Sequence, residues 1–300
     1  CEMREWVKYI ALIGVNFIPR FIGLNSEASD NEQSKSLSVM TFNVKGFQYN
    51  AESDKTIAIA NKDSILSIIK SLSPDMVCLQ EYSSVKKSET SFHYVMTKKL
   101  GYEHFFAPTN SSNYVRGSVI YSKYPITRSG TLFPMAKYYY SKTYVDLLVE
   151  KQTLRIYNVH LDSYRLSEEE KYEVNKIKDR KLISEETSKS ILSKLLETNK
   201  EQAKEVRELK SVLDQTEEKY LLVGDFNATP YSYTYQMLIE NLKDSFVERA
   251  SGFSGTYNDL LPKFRIDYIL ASQGIDFLSY QQDVYQYSDH NPVFVKFKLK

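Results

Sequence analysis

A layered α/β or α+β sandwich, with a sheet core covered by helices, is the fold class this sequence predicts, and three observations lead to it. Eight short runs have strand character: "LSVMTFNV", "DMVCLQEY", "GSVIYSKYPI", "YVDLLVE", "LRIYNVHL", "KYLLVGDFN", "RIDYILAS" and "NPVFVKFKL". Most are continuously apolar rather than strictly alternating, as strands buried on both faces are. Two segments between them have helical period. The chain has 300 residues, 42% of them hydrophobic, enough for one large domain or two small ones. With 10 glycines, 8 prolines and no low-complexity stretch, most of it should fold.

Taken in order, the first element is apolar. Residues 6–24, "WVKYIALIGVNFIPRFIGL", are broken by Lys8, Pro19 and Arg20, and the uninterrupted part is too short to span a bilayer comfortably. It reads as the exit of a membrane segment, as an interfacial anchor with basic flanks, or as a stretch behind a lipid-modified Cys1. A lipid-modified cysteine usually leads into a polar tether, and this one does not. The plainer alternative is an N-terminal helix packed on the domain. Membrane association through this segment is the expectation.

Residues 25–36, "NSEASDNEQSKS", are polar, without β-branched or aromatic residues, and read as a linker, so that residues 1–36 precede a domain at 37–300. "TIAIANKDSILSIIKSL" is the first helix, with Ile57, Ala60, Ile65, Ile68 and Ile69 along one side. "SILSKLLETNKEQAKEVRELKSVL" is the second, with Leu192, Leu195, Leu196, Ala203, Val206, Leu209 and Leu213 on a stripe. It lies in a highly charged, helical insertion at about 164–218. A short stripe of this kind docks on its own domain more often than it forms a coiled coil.

The totals exclude little. There are 39 basic and 38 acidic residues, a net charge of +1, which argues against coating nucleic acid by bulk charge alone. The two cysteines, Cys1 and Cys78, make neither a disulfide framework nor a zinc site.

The informative feature is a polar residue at or near the end of one apolar strand after another. Asn43 ends "SVMTFNV", Glu81 ends "DMVCLQE", and "RIYNVHLDS" carries Asn158, His160 and Asp162 at alternate positions. "LLVGDFN" ends in Asp225 and Asn227, which an extended chain turns to the same face. Asp267 lies inside "FRIDYIL", where an ionised carboxylate needs a partner, and Asp289-His290 precede the last strand in "YSDHNPV". Each has an ordinary explanation alone: Asn43 a turn cap, Glu81 a loop carboxylate, His160 a structural histidine, Asp289-His290 a turn. Asp162, before Ser163, is most simply a turn residue and is left out of the site.

Together they suggest chemistry. Carboxylates with amide oxygens make a hard site suited to Mg2+ or Mn2+. Nearby histidines and amides supply donors for a phosphoryl group, and a histidine oriented by a buried Asp keeps a fixed protonation state. Such a set suits metal-assisted hydrolysis of a phosphate ester. No Gly-rich P-loop, GxSxG elbow or HExxH motif is present, so nucleotide-driven, serine-hydrolase and zinc-protease readings lack support.

With these residues in place the chain resembles the endonuclease/exonuclease/phosphatase family, the metal-dependent phosphoesterases with the DNase I-like fold. The match rests on "FNV" (42–44), "LQE" (79–81), "GSVIYSKYPI" (117–126), "NVHLDS" (158–163), "GDFNATP" (224–230), "RIDYIL" (265–270) and "SDHNPV" (288–293), in the family's order across roughly 37–300. The resemblance implies a four-layer α+β sandwich, two mixed β-sheets flanked by helices, with the site at one end. It implies Glu81 as main metal ligand, with Asn43 and Asp289 near the same ion. Asp225 then orients or deprotonates the attacking water, and Asn227 and His160 donate to phosphate oxygens. Asp267 and His290 form an Asp–His pair, and Tyr257, in "GFSGTYN", is a further substrate-binding candidate. "NVHL" is similar to the nuclease, deadenylase, sphingomyelinase and inositol-phosphatase branches and unlike the abasic-site repair branch. The apolar start, "PYSYTYQML", "LKDSF" and "GFSGTYN" look like a bacterial, membrane-associated subgroup.

The expected function is therefore Mg2+-dependent hydrolysis of a phosphate ester, a phosphodiester first, with Mn2+ as a possible substitute. Lipid-headgroup or inositol-phosphate hydrolysis is the rival within the class, and a catalytically silent binding scaffold the rival outside it. The substrate is a nucleic acid, a phospholipid headgroup or a small phosphodiester, and the catalytic domain is expected to be monomeric. "KYPITR" (123–128) and "AKYYYSKTY" (136–144) are basic, aromatic segments able to grip a backbone or stack a base, although strand and edge packing is the plainer reading.

Overall fold

The computed structural model describes residues 18–25, 36–48, 50–51, 54–133, 141–164, 166–176, 185–253, 255–260 and 263–300. The strands in the first half of the chain are β1 (Ile22–Leu24), β2 (Leu37–Asn43), β3 (Met76–Val85), β4 (His104–Phe106), β5 (Thr109–Asn110), β6 (Tyr114–Ser122), β7 (Ile126–Thr131) and β8 (Lys142–Val149). The second half adds β9 (Gln152–His160), β10 (Lys219–Asp225), β11 (Lys243–Asp244), β12 (Ser251–Phe253), β13 (Asp267–Ala271), β14 (Ile275–Gln281) and β15 (Val293–Leu299). The helices are α1 (Lys55–Leu72), α2 (Phe92–Tyr94, running into a π turn at Val95–Lys99), α3 (Glu168–Lys176), α4 (Glu185–Asp214), α5 (Tyr233–Ile239) and α6 (Ser245–Arg249).

Each of the eight apolar runs forms a strand. They assemble into a seven-stranded sheet, β14-β15-β2-β3-β6-β4 with β5 paired to β6, and a six-stranded sheet, β11-β13-β10-β9-β8-β7. Both are mixed: β2 pairs parallel to β3 and β9 parallel to β10, while the remaining pairs are antiparallel. A separate two-stranded ribbon joins β1 to β12.

Strand alternation explains the layers. Val39, Met76, Cys78 and Ile120 of one sheet meet Ile156, Leu221, Val223 and Ile269 of the other, forming the core between the sheets. Their neighbours along the same strands turn outward. Met40, Phe42, Val77 and Leu79 pack on Ile65, Ile68 and Ile69 of α1. On the opposite side Tyr157, Leu222 and Leu270 pack on Val206 and Leu209 of α4 and Leu238 of α5. Helices, sheet, sheet and helices make the four-layer α+β sandwich that the resemblance implies.

Both helical stripes are shorter than their sequence period suggests. In α1, capped by the Asp54 carboxylate on Thr56 N at 2.7 Å, the first two turns carry Ile57 and Ala60 in solvent, and burial begins further along. In α4, Leu192 and Leu196 are exposed, whereas Val206, Leu209 and Leu213 are buried. The reason is geometric: the long helix overhangs the sheet, and only its C-terminal half lies on strands. Where it passes the strand ends its inward residues are polar. Gln202 donates to the Asp162 and Asn227 carbonyls at 2.6 and 3.1 Å, and Glu205 accepts from Asp162 N at 3.1 Å.

"KYPITR" follows β6 at the end of the sandwich where β3 begins, away from Glu81. Lys123 bonds the Ser73 carbonyl at 2.8 Å, and Tyr124 packs against the inter-sheet core. Lys123 and Tyr124 are structural there, while Arg128 is exposed. Residues 1–17 and 26–35, and positions 136–140 of the tyrosine-rich segment, lie outside the described residues. Among the described residues no helix is long and apolar enough to cross a membrane.

Candidate active site

The space between the sheets changes character along the strands. On β9 the inward residues run Leu154, Ile156, Asn158, His160; on β10 they run Leu221, Val223, Asp225; on β2, Leu37, Val39, Thr41, Asn43. A first polar layer closes the apolar core. Gln80 Nε2 donates to Thr41 Oγ1 at 3.0 Å and across to Asn158 Oδ1 at 2.7 Å. Asn158 Nδ2 answers with the Leu79 and Val119 carbonyls at 3.2 and 3.0 Å. These bonds tie one sheet to the other and satisfy the Asn158 amide and the Gln80 Nε2 group, while Gln80 Oε1 is buried without a hydrogen-bond partner.

Above that layer lie the titratable groups. Asn43 joins a carboxylate from each sheet, its Nδ2 being 3.0 Å from Glu81 Oε1 and 3.0 Å from Asp225 Oδ2. Asp225 also lies between two imidazoles, with His160 Nε2 at 3.5 Å and His290 Nε2 at 3.6 Å. His290 Nδ1 hydrogen-bonds Asp267 Oδ2 at 2.9 Å. Thr256 Oγ1 accepts from the backbone N–H groups of Ile266 and Asp267 at 2.9 and 3.1 Å, which fixes the backbone that carries that carboxylate. The other Asp267 oxygen, Oδ1, is buried without a hydrogen-bond partner, so its charge is balanced through His290.

Local backbone departures aim these groups. β3 carries an irregularity between Leu79 and Tyr82, and Glu81 there has φ 51°. Regular alternation would send Glu81 to the outer face; the bulge returns it to the site, a known use of bulges. Gly224 has φ 137°, and a Cβ there would lie 2.0 Å from the Val159 carbonyl oxygen of β9. Only glycine admits that approach, which sets Asp225 beside His160 in register.

Asn227 reaches the site differently from the expected shared face. The strand ends at Asp225, and Asn227 takes a left-handed φ of 47°. Its backbone N–H donates to Asp225 Oδ1 at 2.9 Å, and its side-chain amide holds the Leu161 carbonyl at 3.0 Å. A turn, tolerated by asparagine, replaces strand alternation. Asp289 makes an ion pair of its own: its Oδ2 accepts from Lys45 Nζ at 2.7 Å. Ser288 Oγ ties the same stretch to β2 by donating to the Asn43 carbonyl at 2.7 Å. Tyr257 bridges to His290 and sets its ring edge-on to that imidazole, centroids 5.1 Å apart. Each residue singled out in the sequence thus joins one end of the sandwich.

Burial governs the charges. It lifts the Asp225 carboxyl to about 6, against the pull of His290, with Asp267 adding to the rise. For His290 burial works downward, but the Asp267 and Asp225 charges outweigh it and hold the imidazole well above the ordinary histidine value. Burial raises Asp289 less than His290 and Lys45 lower it, so it stays a carboxylate. Two donor groups are available to a divalent ion. Asp225, Asp267 and His290 offer atoms within 4.8 Å of one another, although the raised His290 pKa favours the imidazolium, which has no lone pair for a metal. Glu81, Asn43 and Asp289 carry the oxygens a hard cation prefers, but Asn43 Oδ1 accepts from Lys45 N at 3.0 Å and Asp289 is paired with Lys45, so a cation held there would have to draw both toward Glu81.

Lys45, Thr256, Ser288, Gln202 and Glu205 escaped the reading of the sequence. Their only signal was position, each lying near a motif or facing one from α4.

A family model described as the endonuclease/exonuclease/phosphatase family matches residues 40–290. No curated protein matches significantly. Among solved structures, the human Nocturnin catalytic domain with bound sulfate is 18% identical, over 88% of this chain and 94% of that one, with a TM-score of 0.59. D. rerio TDP2 complexed with single strand DNA product is 15% identical, over 88% and 100%, with a TM-score of 0.59. A family protein from Bacteroides thetaiotaomicron is 18% identical, over 90% and 100%, with a TM-score of 0.58. At these identities the likeness is one of fold.

Proposed function

Because this chain belongs to the endonuclease/exonuclease/phosphatase family, whose members are phosphoesterase hydrolases, we propose that it hydrolyses phosphodiesters with the help of Mg2+. The observation that carries the reading is Asp225, buried between His160 and His290 and bonded to Asn43, with its pKa lifted to about 6. A carboxylate of that basicity accepts a proton from water near neutral pH far better than an ordinary aspartate.

Glu81, Asn43 and Asp289 would hold the metal, which neutralises charge on the phosphate oxygens. Asp225 takes the proton of the attacking water as the water oxygen bonds to phosphorus and the bond to the leaving oxygen breaks. His290, kept charged by Asp267, and His160 stabilise the negative charge that grows on the phosphoryl oxygens. Asn227, through its backbone bond, orients Asp225, and Tyr257 backs the His290 ring. A TDP2 complex of the same fold holds a single-stranded DNA product, which supports a nucleic-acid diester as the first substrate to try.

The test is a panel of single- and double-stranded DNA, RNA, phospholipids, inositol phosphates and a generic diester, each with Mg2+ or Mn2+. Hydrolysis of a diester that Asp225→Ala and Glu81→Ala each abolish is the expected result. Near-wild-type turnover by both variants sinks the assignment.

We propose also that the protein is associated with a membrane. Residues 6–17 are largely apolar and precede in sequence the β1–β12 ribbon, where Ile22, Leu24 and Phe253 stand exposed. Ile22 and Phe253 are cross-strand partners and Leu24 shares their face. The full chain should sediment with anionic vesicles, and Ile22→Asp with Phe253→Asp should weaken that binding. Protein remaining in the supernatant overturns the idea.

A further inference from the structure

The turn after β2 passes through three successive residues with left-handed backbone: Lys45 (φ 44°), Gly46 (φ 58°) and Phe47 (φ 65°). Glycine adopts this conformation freely, and the other two need compensation. Phe47 has it, for its buried ring packs on Phe92 and Tyr82 with centroids 5.0 and 5.9 Å away. Lys45 keeps a third of its side chain exposed and buries no comparable surface. What the turn achieves there is to put Nζ 2.7 Å from Asp289 Oδ2. A second carboxylate waits close by, with Asp259 Oδ2 lying 3.8 Å from the same Nζ. α3 clamps Asp259 in place: Lys171 Nζ lies 3.1 Å from its Oδ2, and Asn175 donates to its carbonyl at 2.9 Å.

We propose that Lys45 is the resident cation of the Asp289 carboxylate, neutralising it when no metal is bound and giving way when a divalent ion takes the Asp289 oxygen. The proposal rests on the metal-dependent reading above. An ammonium and a divalent ion drawn to one carboxylate weaken each other's hold, since like charges a few ångströms apart repel in a site partly shielded from water. The ammonium therefore competes with the metal. Lys45 is a positioning residue here: it holds Asp289 in place in the metal-free protein, at a cost in metal affinity.

Calorimetric titration of the full chain with Mg2+ and Mn2+, without substrate, tests this directly. Lys45→Met should bind metal about tenfold more tightly than wild type, as expected when a neighbouring positive charge is removed. Lys45→Arg, which keeps the charge, should stay near wild type. Melting supplies a second measure: metal-free Lys45→Met should melt lower than wild type, and added Mg2+ should raise its melting temperature by more. Equal or weaker binding by Lys45→Met, with wild type binding normally, overturns this proposal alone. No binding by either protein at millimolar metal overturns the metal-dependent reading and this proposal with it.

Discussion

The two ends of the space between the sheets are built on the same strands and are equally buried, yet they do opposite things. At one end Leu154, Ile156, Leu221, Val223 and Ile269 meet as a dry core; at the other His160, Asp225 and Asp267 occupy the same face a few residues on, and all have 2% exposure or less. Moving apolar side chains out of water stabilises the first end directly. The second gains little from burial, because each charge removed from water must be matched by a partner before it does any good. Matching is what the structure provides: Asn43 for two carboxylates, Asp267 for His290, and a layer of Gln80 and Asn158 as the boundary. Burial does not distinguish core from site here; the hydrogen-bond inventory does.

The contrast can be broken most sharply at Asp225. Asp225→Ala should lower kcat by a factor on the order of 1000 or more while leaving the far-ultraviolet circular dichroism unchanged, as loss of preorganised electrostatics does. A loss of tenfold or less would mean that the polar end is structural. The mirror experiment lies two turns of the pleat away. Ile156→Ala, at a fully buried position, should cost about 2–5 kcal/mol in urea unfolding and leave kcat of the folded protein within about twofold. Loss of activity at native-like stability would show that the two ends are not separable.

The smallest effect is a drift of stability with pH in protein stripped of metal by chelation. Burial lifts Asp225 to about 6 in the folded state, against about 3.9 for an unfolded aspartate. Between those values the folded protein holds the extra proton, so stability falls as pH rises from about 4 to about 6, by at most about 3 kcal/mol. Asp225→Asn should flatten that slope. His290 contributes in the other sense: its raised value adds stability that is complete below about 6.5 and is lost only as pH climbs through its folded pKa. A wild-type profile that rises across pH 4–6 would contradict the assignment of Asp225 as the buried acid.

Much of the fold was legible because buried strands advertise themselves. The eight apolar runs became β2, β3, β6, β8, β9, β10, β13 and β15. β7, "ITRSGT", was hidden because it is mostly exposed and polar, and β14 because its half-buried pattern is weak. Asp225, Asp267 and His290 stood out as charge placed against strand burial. Backbone geometry was not legible. Nothing in "LQEY" announces the bulge that turns Glu81 inward, and "DFN" gives no sign that Asn227 arrives by a left-handed turn. Supporting residues such as Gln202 were obscured for another reason. Inside a charged helix a buried glutamine looks like any exposed one until the loops it braces are in view.

Gly224 has no side chain, touches no titratable group with one, and would be passed over in any inventory of functional residues. Yet its Cα–H faces the Val159 carbonyl so closely that the smallest replacement, a methyl group, would wedge the two central strands apart just below Asp225. Tolerance to substitution in this protein is therefore set by clearance as much as by chemistry. A position can be as unforgiving as the carboxylate it precedes solely because of the room it leaves.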